Sequence, residues 1–456
     1  MNAPSHLILP DPAVDWLAVL MRARFNPALR LARECGGQLA ITVDGAKGAI
    51  VFDRPEPSFL GSGSHMPCVW WNADSQGWRS VLQRPLPAPG AEPLPQPLIE
   101  RQGDDWLVHY DIPGLTYWML SRREEVGSTD LDRYGRFSAS ASHAHRHGYL
   151  DRPLVDEWLE ILGQVVARIW PQMPLAQRHF DLKPSHDVDI PSRYAFRSNR
   201  AFVRAVGADL LRHHRIADSL RAPWIRLASA DRLHRSDPAN TFDWIMDISE
   251  RHSLTSAFYF ICGRTDEAMD AGYEPEDVAI RSLMRNIHGR GHEIGLHPSF
   301  DTYRNPQALA EEASRLRRVC DEEGIHQDTW GGRMHYLRWE NPTTPNAWEN
   351  AGMAYDSTLG YADHAGFRCG TCVEYPAYDP VNDRMLDLRI RPLVAMECTV
   401  MDEPYMGLGH GEAAFAAFVG LKQKCQAVGG TFSLLWHNSE LDRPVLRDLY
   451  ESVLKS

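Results

Sequence analysis

The sequence predicts an α/β protein, in which residues 176–456 form a (β/α) barrel or a relative of it. Residues 1–175 are expected to form a smaller, mixed α/β domain. The 456 residues of the chain exceed what one ordinary core accommodates. Apolar, β-rich runs alternate with helical patterns in the second half, as in a (β/α) barrel. The first half mixes short strands with a helix and contains one proline-rich stretch.

In the first half, strands are predicted at residues 38–43, 49–52 and 106–110, the first two around a turn at Asp44-Gly45. Residues 85–97 are rich in proline and predict an extended, solvated connector. Residues 117–122 form an apolar element. Residues 153–170 carry apolar side chains at helical spacing, which predicts an amphipathic helix. No cluster of reactive side chains stands out in this half.

In the second half, strands are predicted at residues 256–262, 293–296 and 431–436. Helical patterns cover residues 275–290 and 305–323. In barrels of this kind the reactive residues lie at the C-terminal ends of the strands. Polar residues at predicted strand ends are therefore the candidates for chemistry.

Composition narrows the classes of function. Hydrophobic residues make up 43% and charged residues 24% of the chain, as in soluble globular proteins. A formal net charge of −12 argues against a general nucleic-acid binder. No apolar run is long enough to span a membrane, and no secretory signal is evident. The eight scattered cysteines indicate reduced thiols in a cytoplasmic protein, and Cys369 and Cys372, without a second such pair, are expected to be ordinary thiols.

The strongest candidate is the pair Asp187 and Asp189, which follows the proline-containing run 180–184. If a strand ends here, its period of two places both carboxylates on the same face. Two like charges this close are costly unless a cation or a proton lies between them. The pair therefore indicates a metal site, a catalytic proton, or both.

A second candidate lies in the run GHEIGLHPS at residues 291–299. If residues 292–297 form a strand, His292 and His297 lie on opposite faces, and His297 is at the strand's end. His297 is thus the better ligand candidate, and His292 is expected to be structural. Asp301, four residues later, could return to the side of His297.

Two further stretches carry polar residues. His437 directly follows an apolar strand, where a structural histidine and a catalytic one are equally compatible with the pattern. Residues 332–339 (GRMHYLRW) mix cations with aromatic side chains, as carbohydrate sites often do. Considered alone, that stretch equally fits a surface loop with one buried aromatic residue.

Taken together, these motifs resemble the polysaccharide deacetylase family, the carbohydrate esterases of family 4 type with a NodB-like domain. The resemblance covers residues 180–456 and implies a distorted (β/α) barrel of NodB type. Residues 117–125 and the run GRFSASASHAHRHGYLDRP resemble an N-terminal domain that precedes some bacterial members. The implied activity is metal-dependent removal of acetyl groups from an N-acetylated or O-acetylated sugar or polysaccharide, with zinc as the first choice of divalent metal.

By the same resemblance, Asp187 is the general base, His437 the general acid and Arg338 a possible positioner of the base. Asp189 and His297 are metal ligands. The family usually has a second metal histidine four residues after the first, and this chain has Asp301 there. The site could be completed by Asp301 or by His335, or could bind no metal.

Two alternatives to a sugar deacetylase stay open. One is a non-catalytic glycan-binding or assembly protein of the same fold, which the departure at Asp301 suggests. The other is an amidohydrolase acting on a non-sugar amide, because one barrel fold hosts many C–N hydrolyses.

Overall fold

A computed structural model describes residues 8–34, 36–211 and 214–456 of the chain. The protein is a mixed α/β structure. The helices are α1 (Asp11–Arg24), α2 (Ile112–Leu120), α3 (His143–Arg146), α4 (Leu154–Ile169), α5 (Asn199–Leu211), α6 (Ile216–Ala228), α7 (Phe242–Arg251), α8 (Val278–Gly289), α9 (Pro306–Glu322), α10 (Thr343–Asn350), α11 (Glu397–Met401), α12 (Glu412–Ala427) and α13 (Pro444–Lys455).

The strands form three sheets, whose members follow in chain order. They are β1 (Leu29–Arg33), β2 (Leu39–Val43), β3 (Ile50–Phe52), β4 (Cys68–Trp71), β5 (Leu86–Pro89), β6 (Ile99–Gln102), β7 (Asp105–Val108), β8 (Asp181–Val188), β9 (Ala257–Ile261), β10 (Glu293–His297), β11 (Gly331–Gly332), β12 (Tyr355–Asp356), β13 (Tyr375–Asp379), β14 (Arg384–Ile390), β15 (Ala395–Met396) and β16 (Thr431–Leu435).

The first half contains a five-stranded sheet of order β1-β2-β3-β7-β6. The predicted hairpin is confirmed, because β2 and β3 pair antiparallel on either side of Asp44-Gly45. The predicted strand at 106–110 is confirmed as β7, and the predicted amphipathic helix as α4. The apolar element at 117–122 is the second half of the fully buried helix α2.

The prediction of a solvated connector at residues 85–97 is wrong for its first part. Residues 86–89 form β5, a fully buried strand that pairs antiparallel with β4. The prolines of β5 lack N–H groups, but their carbonyls accept hydrogen bonds from buried aromatic side chains: Trp158 Nε1 to Pro87 O (2.8 Å) and Tyr110 Oη to Pro89 O (3.0 Å). With these acceptors satisfied, a proline-rich strand can be buried.

The second half contains a nine-stranded sheet of order β13-β14-β12-β11-β10-β9-β8-β16-β15. All neighbours pair in parallel except β13, which is antiparallel to β14. The three strands and two helices predicted in this half are confirmed as β9, β10, β16, α8 and α9. Within the described residues no pairing joins β13 to β15, so the predicted α/β arrangement is seen without closure of a barrel.

The two sheets use separate parts of the chain, residues 29–108 and 181–435, but the helices around them share buried contacts. Trp16 of α1 stacks on Tyr378 of β13 with ring centroids 4.9 Å apart, and its Nε1 donates to Pro376 O (2.9 Å). A domain border near residue 175 stays a prediction. No helix in the described part of the chain is long and apolar enough to cross a membrane.

Cys369 and Cys372 are buried and unbonded to each other. Burial raises the pKa of the Cys369 thiol, which keeps it protonated. This agrees with the prediction of two ordinary thiols.

Candidate active site

Three predicted strand ends meet at one edge of the nine-stranded sheet. Asp187 and Asp189 lie at the end of β8, His297 ends β10, and His437 lies just beyond β16. Asp189 is at the centre, with Oδ1 3.3 Å from Nε2 of His297 and Oδ2 3.5 Å from Nε2 of His437. Asp187 Oδ2 lies 3.7 Å from Nε2 of His297, so both carboxylates share a face, as the period of two predicts.

Asp189, His297 and His335 form a group of potential metal ligands. One ligand atom from each lies within 4.8 Å of the others. Nε2 of His335 is 3.7 Å from Asp189 Oδ1. That carboxylate oxygen is buried and has no hydrogen-bond partner among the described residues. A buried, unpaired carboxylate oxygen facing two imidazoles is costly unless a cation or proton satisfies it.

The outer nitrogens of the two imidazoles are already engaged. Nδ1 of His297 donates to the main-chain carbonyl of Arg333 (2.6 Å), and Nδ1 of His335 lies 3.1 Å from Asp270 Oδ1. A neutral imidazole that donates from Nδ1 presents a lone pair at Nε2. Both Nε2 lone pairs then point toward Asp189, which is the arrangement in which an outer hydrogen bond orients a metal-binding histidine.

Without a cation, protons must take its place, and the pKa values show it. Burial raises the pKa of Asp189, but His335 and His297 outweigh burial and hold it well below its usual range. Burial lowers the pKa of His335, but the carboxylates of Asp189 and Asp270 outweigh it and raise the pKa to about 9. The group has an excess of negative charge that a divalent cation would balance.

Asp187 is fixed by Arg333, not by Arg338. Nη1 of Arg333 donates to Asp187 Oδ1 (2.7 Å), and both side chains are almost fully buried. The same guanidinium donates to Ser185 Oγ (2.8 Å) and to the carbonyl of Ser357 (3.0 Å). These bonds hold one carboxylate oxygen of Asp187 and leave Oδ2 facing His297.

The structure places Asp301 and Arg338 differently from the sequence expectation. Asp301 begins a short 3-10 helix after the turn at Pro298, and its side chain is 56% exposed. It pairs with Nη1 of Arg338 (2.8 Å), and neither residue contacts Asp187 or Asp189 among the described contacts. The chain turns at Pro298 instead of continuing helically, so four residues do not bring Asp301 back to His297. His335 occupies the third position of the ligand group.

His437 is held by a buried glutamate. Its Nδ1 and its main-chain N–H (3.1 Å) both contact Oε1 of Glu397, the first residue of α11. Burial lowers the pKa of His437, but Glu397 and Asp189 outweigh it and raise the pKa to about 10. Cys398 lies beside this pair, but burial raises the pKa of its thiol well above the usual range, so it is a poor metal ligand.

Three aromatic side chains form a cluster beside His335. Tyr336 packs on His335 (ring centroids 4.7 Å apart) and on Phe300 (5.2 Å). Tyr134, from the first half of the chain, lies 5.1 Å from Tyr336. Arg136 donates to the carbonyl of Tyr336 (2.9 Å), which ties the loop around Tyr134 to the loop that carries His335. We call Tyr134, Phe300 and Tyr336 the aromatic rim.

Comparison with known protein families gives one match. The family described as a family of unknown function (DUF7033) matches residues 67–171, which lie entirely in the first half of the chain. Comparison with curated proteins finds no match.

Among solved structures, similar ones include a protein assigned as a polysaccharide deacetylase from Mycobacterium smegmatis (18% identity, TM-score 0.38). Two others are Puue allantoinase (10%, 0.34) and a protein assigned as a polysaccharide deacetylase from Pseudomonas aeruginosa PAO1 (13%, 0.33). Each match covers 61% of this chain and 84% of the other. At these identities and TM-scores the likeness says nothing about the reaction, for which the side-chain geometry is the basis.

Three residues that complete the site were not singled out in the sequence. Arg333 lies in the cationic stretch at residues 332–339, but only the structure shows that it contacts Asp187. Glu397 follows the two-residue strand β15, which lies beside β16, so the strand-end rule would have found it had so short a strand been recognised. Asp270 lies in the loop after β9 and carries no signal in the sequence.

Proposed function

We propose that this protein is a metal-dependent hydrolase that removes acetyl groups from an N-acetylated or O-acetylated sugar. The observation that carries the proposal is the buried, unpaired Oδ1 of Asp189, which faces the Nε2 atoms of His297 and His335. One carboxylate and two histidines are a ligand set that zinc takes in catalytic sites.

Asp189, His297 and His335 would hold the metal, and the outer bonds to the Arg333 carbonyl and to Asp270 would fix the two rings. A zinc ion bound there supplies a Lewis acid for the acyl oxygen and a water of lowered pKa. The three ligands come from the ends of two different strands and one loop, so the site depends on the folded sheet.

Asp187 is suited to act as general base. Arg333 occupies its Oδ1, so Oδ2 is the atom left to accept a proton from an attacking water. Because the guanidinium also bonds Ser185 and Ser357, the carboxylate is held in one orientation.

His437 is suited to act as general acid on the opposite side of Asp189. Glu397 accepts from Nδ1 and thereby favours a protonated ring, whose Nε2–H points toward the carboxylate cluster. A departing sugar amine or alkoxide at that position would take this proton.

The aromatic rim supports a sugar as the substrate. Tyr134, Phe300 and Tyr336 are each partly exposed and lie next to His335. Aromatic faces stack on the apolar faces of pyranose rings, and their hydroxyl groups can bond sugar hydroxyls. A non-sugar amide remains the alternative substrate.

The test is acetate release by the purified, zinc-loaded protein from a panel of N-acetyl and O-acetyl sugars, with a non-sugar acetamide alongside. Asp187→Asn and His437→Ala are expected to lower kcat by about 100-fold or more, the usual contribution of a general acid or base. Asp301→Asn is the matched control, because this exposed carboxylate lies on the same edge outside the ligand group. Equal release by all three variants would refute the proposal.

The non-catalytic alternative rested on Asp301 as a poor third ligand. Since His335 provides that ligand atom in the structure, the reason for the alternative is weakened. Metal analysis separates the two: a protein that retains no zinc after gentle purification, and takes up none, would support binding without catalysis.

A further inference from the structure

Exposed hydrophobic side chains are concentrated in helices α5 and α6. Thirteen large hydrophobic residues are strongly exposed in the described part of the chain, and seven of them lie in this helical pair. They are Val203, Leu210, Leu211, Ile216, Leu220, Trp224 and Leu227. Single exposed apolar residues are ordinary on a protein surface, but a cluster of this kind marks an interaction site.

The exposed residues of each helix follow its helical period. In α6, Ile216, Leu220, Trp224 and Leu227 are spaced at i, i+4, i+8 and i+11, and 58% to 78% of each residue is exposed. In α5, Val203, Leu210 and Leu211 are spaced at i, i+7 and i+8. Each helix therefore presents one apolar stripe to solvent.

These stripes are not needed to hold the helical pair together. The opposite face of α6 contributes Ala222 and Ile225 to a small buried core with Tyr194, packed against Phe202 and Val206 of α5. Both helices thus have an inner apolar face that is covered and an outer apolar face that is not. A helix that is apolar on both faces is expected to meet a second apolar surface.

The same segment is strongly basic in an acidic protein. Residues 193–235 contain ten arginines against three aspartates and no lysine or glutamate, a formal charge of +7 in a chain of −12. Asp209 and Asp442 pair with Arg193 and Arg215. For the exposed Arg200, Arg204 and Arg221, no ion pair occurs within the part of the chain that the structure describes.

We infer that α5 and α6 form a peripheral docking surface for an anionic lipid membrane. Basic, amphipathic helices with Leu and Trp on the apolar side bury that side at the boundary between headgroups and acyl chains. Unpaired arginines next to the stripe attract anionic headgroups. The surface would lie on the membrane and not span it.

A second copy of this chain fits the surface less well. Two copies related by a two-fold axis would bring the same segment of charge +7 against itself, which is repulsive. A membrane instead offers both complements at once, negative headgroups and an apolar interior. Charge complementarity therefore selects the lipid surface.

The helical pair is attached at the active-site edge of the sheet. The chain enters it directly from β8 and Asp189, and Ile190 at that junction is also exposed. Arg215, just before α6, pairs with Asp442 in the short helix that follows His437. Docking at this surface would bring the candidate active site close to the membrane.

The test is cosedimentation of the full chain with vesicles of phosphatidylcholine alone or mixed with phosphatidylglycerol. We expect binding to the mixed vesicles, about tenfold weaker binding to the neutral ones, and loss of binding as NaCl increases. The double variant Leu220→Glu with Leu227→Glu should bind the mixed vesicles at least about tenfold more weakly. Arg204→Glu with Arg221→Glu should lose the preference for anionic lipid.

The matched control is Val381→Glu with Met385→Glu, which changes two exposed apolar residues outside the helical pair and should bind like the unchanged protein. Circular dichroism and the thermal midpoint show that each variant is folded. Absence of binding to mixed vesicles, or undiminished binding by Leu220→Glu with Leu227→Glu, would overturn the inference. Self-association that the same variant abolishes, without vesicle binding, would assign the surface to a second copy.

Discussion

Nε2 of His335 lies 3.7 Å from Oδ1 of Asp189, although 146 residues separate them in the chain. Asp270 holds the other ring nitrogen of His335 at 3.1 Å. The imidazole is thus fixed between two carboxylates, one that would share a metal with it and one that orients it. This pair, and not the exposed Asp301, completes the candidate metal site.

The first prediction concerns the ligand set. His335→Ala should lower zinc affinity by at least about 100-fold, because loss of even an outer partner costs about 10- to 100-fold. Asp301→Asn should leave zinc affinity unchanged, since its carboxylate pairs with Arg338. Competition with a chromophoric chelator measures both affinities. Equal loss in the two variants would return Asp301 to the site.

The second prediction separates the side chain of Arg333 from its main chain. The guanidinium bonds Asp187, whereas the carbonyl of the same residue bonds His297. Arg333→Lys should therefore retain zinc binding and lower kcat by about 100-fold, because an ammonium cannot reproduce the planar fork that orients Asp187. Arg338→Lys, which changes the partner of Asp301, is the control and should keep kcat. Parallel loss of zinc in Arg333→Lys would indicate a general collapse of the site.

Much of this site follows from the sequence because parallel strands end at one edge. The period of two placed Asp187 and Asp189 together, and the face argument chose His297 over His292, which is buried and accepts a hydrogen bond from Ser256 N–H (3.1 Å). The sequence could not show the third ligand, because a turn at Pro298 directs the chain away from His297.

The same limit applies to the fold. Alternation of apolar runs and helical patterns was enough to predict β9, β10 and β16. The buried strand Leu86–Pro89 escaped prediction because its stability depends on donors from Tyr110 and Trp158, which are distant in sequence. Barrel closure is a property of the last pairing between strands, which no local pattern contains.

The third prediction is a change in the pH profile. Glu397 raises the pKa of His437, and a general acid is active only while protonated, so activity falls as pH rises through that pKa. Glu397→Gln should lower the pKa and move the alkaline limb of kcat/KM down by about one to three pH units. His437→Ala should remove this limb. An alkaline limb at the same pH in Glu397→Gln and unchanged protein would contradict the role of Glu397.

The fourth prediction tests the aromatic rim. Tyr134→Ala should raise KM for an acetylated oligosaccharide by up to about tenfold, because stacking of one aromatic ring is worth about 0.5–1.5 kcal/mol. Cleavage of a small acetyl ester, which cannot reach the rim, should keep its kcat and KM. Tyr134→Phe keeps the ring and should behave as the unchanged protein with both substrates. A similar effect of Tyr134→Ala on both substrates would point to a structural role.

The fifth prediction concerns stability and a buried carboxyl group near the site. Glu312 of α9 is 6% exposed and accepts from the main-chain N–H of Ser299 (2.9 Å). Burial raises its pKa from 4.5 to about 7. Between these two values the unfolded chain loses the proton and the folded chain keeps it, so the free energy of unfolding falls as pH rises.

Removing that proton should remove the effect. Over the window from 4.5 to about 7, the loss is about 3 kcal/mol in the unchanged protein, at 1.36 kcal/mol per pH unit. Glu312→Gln carries no charge at any pH, so its stability relative to the unchanged protein should increase from pH 5 to pH 7.5. Urea unfolding at the two pH values measures this difference. Glu311→Gln, on the exposed side of the same helix, should show no such trend, and a trend common to both variants would assign it to other groups.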